Sequence, residues 1–207
     1  MKAIVTIIGL WLPLGNTDIG FIYFPFTFIA FNEDKEMVFY NDDGSVFESS
    51  AYSFDGRVIN TGRFIFQDLQ PIDSNNILLN ISINNKNRNK DPDSIENKKA
   101  KTLILKKVLP TEISIDSGKT VDTVLRSNWE SEKEFKLFFG DKLSLLDDQD
   151  TTRTYTFSYY KLKDSYILVR KKNKMIYDVF PVISINNDAL TVFAPALQNV
   201  FTLRRYP

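Results

Sequence analysis

The sequence predicts an all-β protein of antiparallel strands, and three observations predict it. Apolar residues recur at every second position in run after run, and short polar turns separate the runs. The 207 residues also include 17 Phe and nine Tyr, side chains that fit pleated, half-buried surfaces. In Ile77-Leu78-Leu79-Asn80-Ile81-Ser82-Ile83, the odd positions are all apolar, whereas 80 and 82 are polar. Residues two apart share a face of a strand, so one face is buried there and the other is wet.

The elements follow in order. Residues 3–14 form an apolar run behind a single lysine, the outline of a signal peptide. No A-x-A cleavage site follows, and Trp11 and Pro13 interrupt the run, so a buried first strand at Ile4-Val5-Thr6-Ile7-Ile8 is expected instead. The run is too short for a transmembrane helix. Next comes an aromatic stretch of Phe21, Tyr23, Phe24, Phe26, Phe28 and Phe31. Turns are expected at Asn32-Glu33-Asp34, Asn41-Asp42-Asp43-Gly44 and Asp55-Gly56, because Asn, Asp and Gly tolerate the dihedrals of tight hairpins. Residues 84–101 are polar and charged, and they read as a long exposed loop. Val121, Val124 and Leu125 repeat at helical spacing, which predicts the one helix over 119–129, capped by Asp116 or Ser117. Phe135, Leu137 and Phe139 alternate again. Tyr155, Phe157 and Tyr159 share a face opposite Thr154, Thr156 and Ser158, and a further strand runs from Met175 to Ile185. Pro181 cannot donate to a ladder, so it marks an edge or a bulge in that strand.

Composition excludes more than it assigns. With no His and no Cys, the chain has no disulfide, no zinc, copper or iron site built on those residues, and no Ser–His–Asp or Cys–His nucleophile. Lys plus Arg equals Asp plus Glu at 26 each, so the basic excess that drives phosphate binding is missing, and no nucleic-acid partner is expected. Three motif matches read as structural. Asp116-Ser117-Gly118-Lys119-Thr120 has the tail of a phosphate-binding loop, but Ile113 stands where its first glycine belongs. Ser158-x-x-Lys161 lies on a strand, where residues three apart face opposite ways. The acidic groups Asp42-Asp43, Asp91/Asp93 and Asp147-Asp148/Asp150 fall at turns and lack the ligand series of a calcium loop. No cofactor or metal is expected.

Two stretches share a plan. One opens with Ile7-Ile8-Gly9-Leu10-Trp11, the other with Leu125-Arg126-Ser127-Asn128-Trp129, and each continues as a β meander. The second closes on Phe201-Thr202-Leu203-Arg204-Arg205. With Gly9-x-Trp11 near the start, this plan resembles the lipocalin-like (calycin) domains of bacterial envelope proteins. The resemblance implies small antiparallel barrels that bind apolar ligands or act as interaction modules, and an extracytoplasmic location at the periplasm or cell surface. In the second stretch Ser127 stands where that motif has glycine.

Two lipocalin-like units over 1–118 and 119–207 are therefore expected, or else one larger sandwich. The expected function is non-catalytic binding or interaction in the bacterial envelope, with a small apolar molecule or a protein as partner. Phe24, Phe26, Phe28, Tyr155, Phe157 and Tyr159 are the candidate ligand contacts, since ligand pockets are mostly apolar with a few polar groups. The alternatives are a carbohydrate-active or other hydrolase working with carboxylates alone, and a structural or adhesive surface subunit.

Overall fold

The structure, a computed structural model, describes residues 7–15, 27–62, 64–83, 101–131, 136–137, 143–144, 154–172 and 175–206. The expected strand at 4–8 lies largely outside these residues, as do the loop at 84–100 and the acidic group at 147–150. The fold is all-β. The chain divides into two compact units, Met1–Asn41 with Ser45–Val108, and Asp42–Gly44 with Leu109–Pro207.

The first unit contains β1 (Gly9–Gly15), β2 (Phe28–Phe31), β3 (Glu36–Tyr40), β4 (Val46–Ala51), β5 (Ser53–Phe54), β6 (Ile59–Asn60), β7 (Phe64–Pro71), β8 (Asn76–Ile83) and β9 (Lys101–Val108). Its strand order is β4-β3-β2-β1-β9-β8-β7-β6-β5, antiparallel throughout. The two edges, β4 and β5, are consecutive in the chain and separated only by Tyr52. One strand therefore runs from one edge of the sheet to the other, which curls the sheet into a nearly closed up-and-down barrel. Pro13 fits inside β1 because β2 pairs only with Gly9, Leu10 and Trp11, so the missing N–H lies past the end of that ladder.

Alternation fills this barrel. Trp11, Ile29, Phe31, Met37, Phe39, Phe64, Phe66, Ile77, Leu79, Ile81, Leu103 and Leu105 form one buried cluster. Rings meet within it: Phe31 packs edge-on against Tyr52 and Phe66, with centroids 5.4 and 6.3 Å apart, and Phe39 lies 5.0 Å from Phe64. A barrel of about eight strands is just wide enough for side chains to fill, and the cluster above fills this nine-stranded one. The turns behave as their residues require. The Asp55 carboxylate accepts the N–H groups of Arg57 and Val58 at 2.8 Å each. Asp73 accepts from the Asn75 N–H at 2.7 Å and from the Asn76 amide. These bonds favour the ionised form and hold both carboxyls below the usual aspartate value. For Asp55 the largest cause is the Arg57 N–H, and for Asp73 it is the Asn76 side chain. Both groups are expected to titrate below ordinary aspartates in a carboxyl-detected NMR titration. Their support of the turns is complete above the unfolded-state pKa and is lost as pH falls through the lowered folded value.

The second unit contains β10 (Glu112–Ser114), α1 (Val121–Leu125), β11 (Asn128–Ser131), β12 (Lys136–Leu137), β13 (Leu143–Ser144), β14 (Thr154–Leu162), β15 (Ser165–Lys172), β16 (Met175–Asn186), β17 (Ala189–Ala194) and β18 (Asn199–Tyr206). The order is β12-β11-β18-β17-β16-β15-β14-β13 in a curled sheet. The helix is shorter than its periodicity predicts. Thr120 caps it, its hydroxyl accepting from the Thr123 N–H at 3.1 Å, and 128–131 pairs with β18 as a strand instead.

The long strand β16 changes partners at Pro181. β15 pairs with it up to Ile167 opposite Pro181, while β10 runs parallel to Ser184–Asn186. Between these two stretches the Thr111 hydroxyl takes the place of a ladder bond. It accepts the Tyr166 N–H and donates to the Val182 carbonyl, each at 2.8 Å.

The sequence echo has a counterpart in the structure. In each unit the first long strand of the stretch pairs with the last, β1 with β9 and β11 with β18. Each of those first strands carries a buried tryptophan whose indole N–H donates to the carbonyl four residues earlier. Trp11 donates to Ile7 at 2.7 Å and Trp129 to Leu125 at 3.3 Å. Each faces a cation across the ladder, Lys107 for Trp11 and Arg205 for Trp129. The Lys107 ammonium lies 5.7 Å from the Trp11 ring centroid. Gly9 makes room for it: its φ is +138°, and a Cβ there would come within 3.1 Å of Lys107 Cε.

Candidate functional site

The two units treat their interiors differently. In the first, the clustered side chains are close to fully buried and touch one another. In the second, Val124 and Leu125 of α1 join Trp129, Leu168, Val182, Ile185, Leu190, Val192 and Leu203 in a buried core. Around that core lies a set of half-buried aromatics, Phe157, Tyr159, Tyr166, Phe180 and Phe201.

Strand register groups them. Across β14, β15 and β16, one row on the core face is Tyr159–Leu168–Phe180, and the next is Phe157–Arg170–Asp178. Residues paired across antiparallel strands lie on the same face. The second row therefore places an ion pair beside the aromatics. Arg170 and Asp178 are bonded to each other and their side chains are 21% and 18% exposed. The Arg170 guanidinium also lies 5.8 Å from the Phe180 ring centroid. The β15–β16 register shifts between Arg170 and Lys171, and such a bulge re-aims the side chains beside it. The result is an amphipathic patch: flat aromatic surface, partly open, with one fixed charge pair at its border. It can hold an apolar body and orient a polar end.

The sequence-predicted contacts fall in different places. Phe157 and Tyr159 belong to this patch. Tyr155 lies on the same strand, β14, and its backbone pairs with Leu143 of β13, but its side chain lies outside the described residues. Phe24 and Phe26 lie outside the described residues as well. Phe28 is fully buried on β2, and its neighbours Ile29 and Phe31 rather than Phe28 itself belong to the barrel cluster. The alternation pattern missed Phe180, Arg170 and Asp178. A regular hairpin continued from Lys172–Met175 would have put Arg170 opposite Tyr177, and only the register shift between Arg170 and Lys171 brings Asp178 opposite it, so alternation alone could not find the pair.

The motif matches are occupied structurally. Lys119 bonds to Asn187 at 3.3 Å and lies 3.7 Å from Asp116, and Thr120 caps α1. Asn80, in a formal glycosylation triplet, donates to Asp68 at 2.9 Å and accepts from Thr102 at 2.7 Å across β7–β8–β9. Among the described residues, no helix is long and apolar enough to cross a membrane. No protein-family model matches the chain, and no curated protein matches it.

Proposed function

We propose that this chain is a non-catalytic binding protein whose second unit takes a small apolar molecule on the core face of β14–β16. The observation that carries the reading is the row of half-buried aromatics, Phe157, Tyr159 and Phe180, beside the Arg170–Asp178 pair. A core that only stabilised the fold would bury most such rings; among the described residues the first unit leaves one partly buried ring, Phe54, against its core, whereas the second leaves five. A hydrolase working with carboxylates needs two facing acids, one with a raised pKa. The described carboxylates with shifted titration, Asp55 and Asp73, move the other way and lie at solvent-exposed turns. A lipocalin-like relationship and an extracytoplasmic envelope location form part of the same proposal. The up-and-down connectivity of the barrel and the hydrogen-bonded tryptophan that opens each stretch support the relationship, and the location follows from that resemblance alone.

The test uses the dye 1-anilinonaphthalene-8-sulfonate, which has an apolar body and one charged end. Native protein is expected to bind it saturably with a fluorescence increase. Replacing Phe157 and Tyr159 together with serine is expected to weaken binding at least tenfold. Ile72→Ser, an exposed position on the first unit, is expected to leave it unchanged. Equal binding by the double variant would overturn the reading.

A further inference from the structure

We infer, resting on the binding site proposed above, that its ligand is an anionic amphiphile whose charged end is held by Lys161. Lys161 lies on β14, two residues from Tyr159, and pairs across the ladder with Tyr166. Residues two apart on a strand share a face, as do residues paired across it, so Lys161 belongs to the core face that carries the aromatics. Lys161 is exposed, whereas Tyr159 and Tyr166 beside it are half-buried. Its ammonium lies 5.9 Å from the Tyr166 ring centroid, at the open border of the ring surface.

The two cations of this face stand in different surroundings. Arg170 is bonded to Asp178, so its charge is compensated within the patch. Lys161 forms no ion pair among the described residues, and an ammonium presents three donors. The Lys161–Tyr166 row lies four residues, roughly 13 Å along the strands, from the Phe157–Arg170–Asp178 row, with Tyr159–Leu168–Phe180 between them. A molecule laid along the rings therefore reaches a compensated pair at one end and an uncompensated cation at the other.

Charge complementarity sets the sign of the polar end. From Thr154 to Asn186, which covers β14, β15, β16 and their turns, six Lys or Arg stand against two carboxylates, Asp164 and Asp178, in a chain whose net charge is zero. A cationic end would be repelled by this sheet, and a neutral one would leave the Lys161 ammonium without a counter-charge. A carboxylate, sulfonate or phosphate on Lys161 would form a charge-assisted hydrogen bond beside rings that exclude water, where such a pair is stronger than in bulk solvent. The sheet is curled and the rings sit on its core face, so the site suits a single molecule rather than a lipid surface.

The experiment compares two dyes on the full chain by fluorescence titration. 1-Anilinonaphthalene-8-sulfonate and N-phenyl-1-naphthylamine share one ring system, and only the first carries a sulfonate. Lys161→Met changes an exposed position and is expected to stay folded by circular dichroism. It is expected to weaken the sulfonate dye about fivefold, the upper range for an exposed ion pair, and to leave the neutral dye within about twofold. Lys161→Arg is expected to bind both dyes like wild type. Lys171→Met, on the opposite face of β15, is expected to change neither. Three results would overturn the inference while leaving the aromatic site standing: an unchanged affinity of Lys161→Met for the sulfonate dye, an equal loss for both dyes, or the same loss in Lys171→Met, which would reduce the effect to net charge. A wild type that binds neither dye would remove the aromatic site and the inference together. Cosedimentation of the wild type with phosphatidylglycerol vesicles, abolished by Lys161→Met, would make a lipid surface the occupant and would also overturn the inference.

Discussion

Replacing Trp129 with alanine is expected to destabilise the second unit by about 4 kcal/mol, the range of large-to-small changes at fully buried aromatic positions. Trp129 is 0% exposed and packs with Leu125, Leu190 and Leu203, so its removal leaves a cavity among side chains drawn from α1, β17 and β18. It also leaves the Leu125 carbonyl, at the last residue of the helix, without the indole N–H. Trp129→Phe separates the two effects. It keeps most of the apolar volume and is expected to cost less than half as much. Urea unfolding followed by circular dichroism reads both values, and a loss under about 1 kcal/mol for the alanine variant would contradict the packing described.

Thr111→Val is the second large effect, at about 3 kcal/mol. The side chain keeps its shape, and Thr111 is a buried position where volume is conserved. What is lost is the hydroxyl that joins Tyr166 N–H to the Val182 carbonyl. The Thr111 hydroxyl stands where the next direct β15–β16 ladder bond would lie, so neither group has a ready substitute. Leaving a buried donor and a buried acceptor unpaired costs about 1–3 kcal/mol for each group. Thr111→Ser retains the hydroxyl and is expected to recover most of the loss. If valine and serine behave alike in the same urea measurement, the hydroxyl bridge contributes nothing.

Much of this architecture was legible as alternation. Ile77, Leu79 and Ile81 point into the barrel as their spacing requires, and Asp55 forms the turn its type favours. The shared opening of the two stretches showed in Trp11 and Trp129, although Ser127 departs from the glycine of the first. Other features depend on partners distant in sequence. Alternation assigns two faces to a strand without saying whether either is wet. It therefore could not distinguish Phe28, fully buried, from Phe157, half open. Pro181 signalled an interruption, but the Thr111 hydroxyl that bridges the strands there lies 71 residues from Val182, whose carbonyl it bonds. The helical repeat of Val121, Val124 and Leu125 was real, yet the helix stops early because Trp129 is taken into the ladder with β18. The pairing of Arg170 with Asp178 depends on the shifted β15–β16 register, which no local pattern around Arg170 announces.

Hydrogen exchange with and without saturating 1-anilinonaphthalene-8-sulfonate asks most directly which interior accepts a guest. The account predicts added protection in peptides covering 154–172 and 175–182, and none in those covering 28–40 or 64–81. Protection confined to the first barrel, or absent throughout, would contradict it.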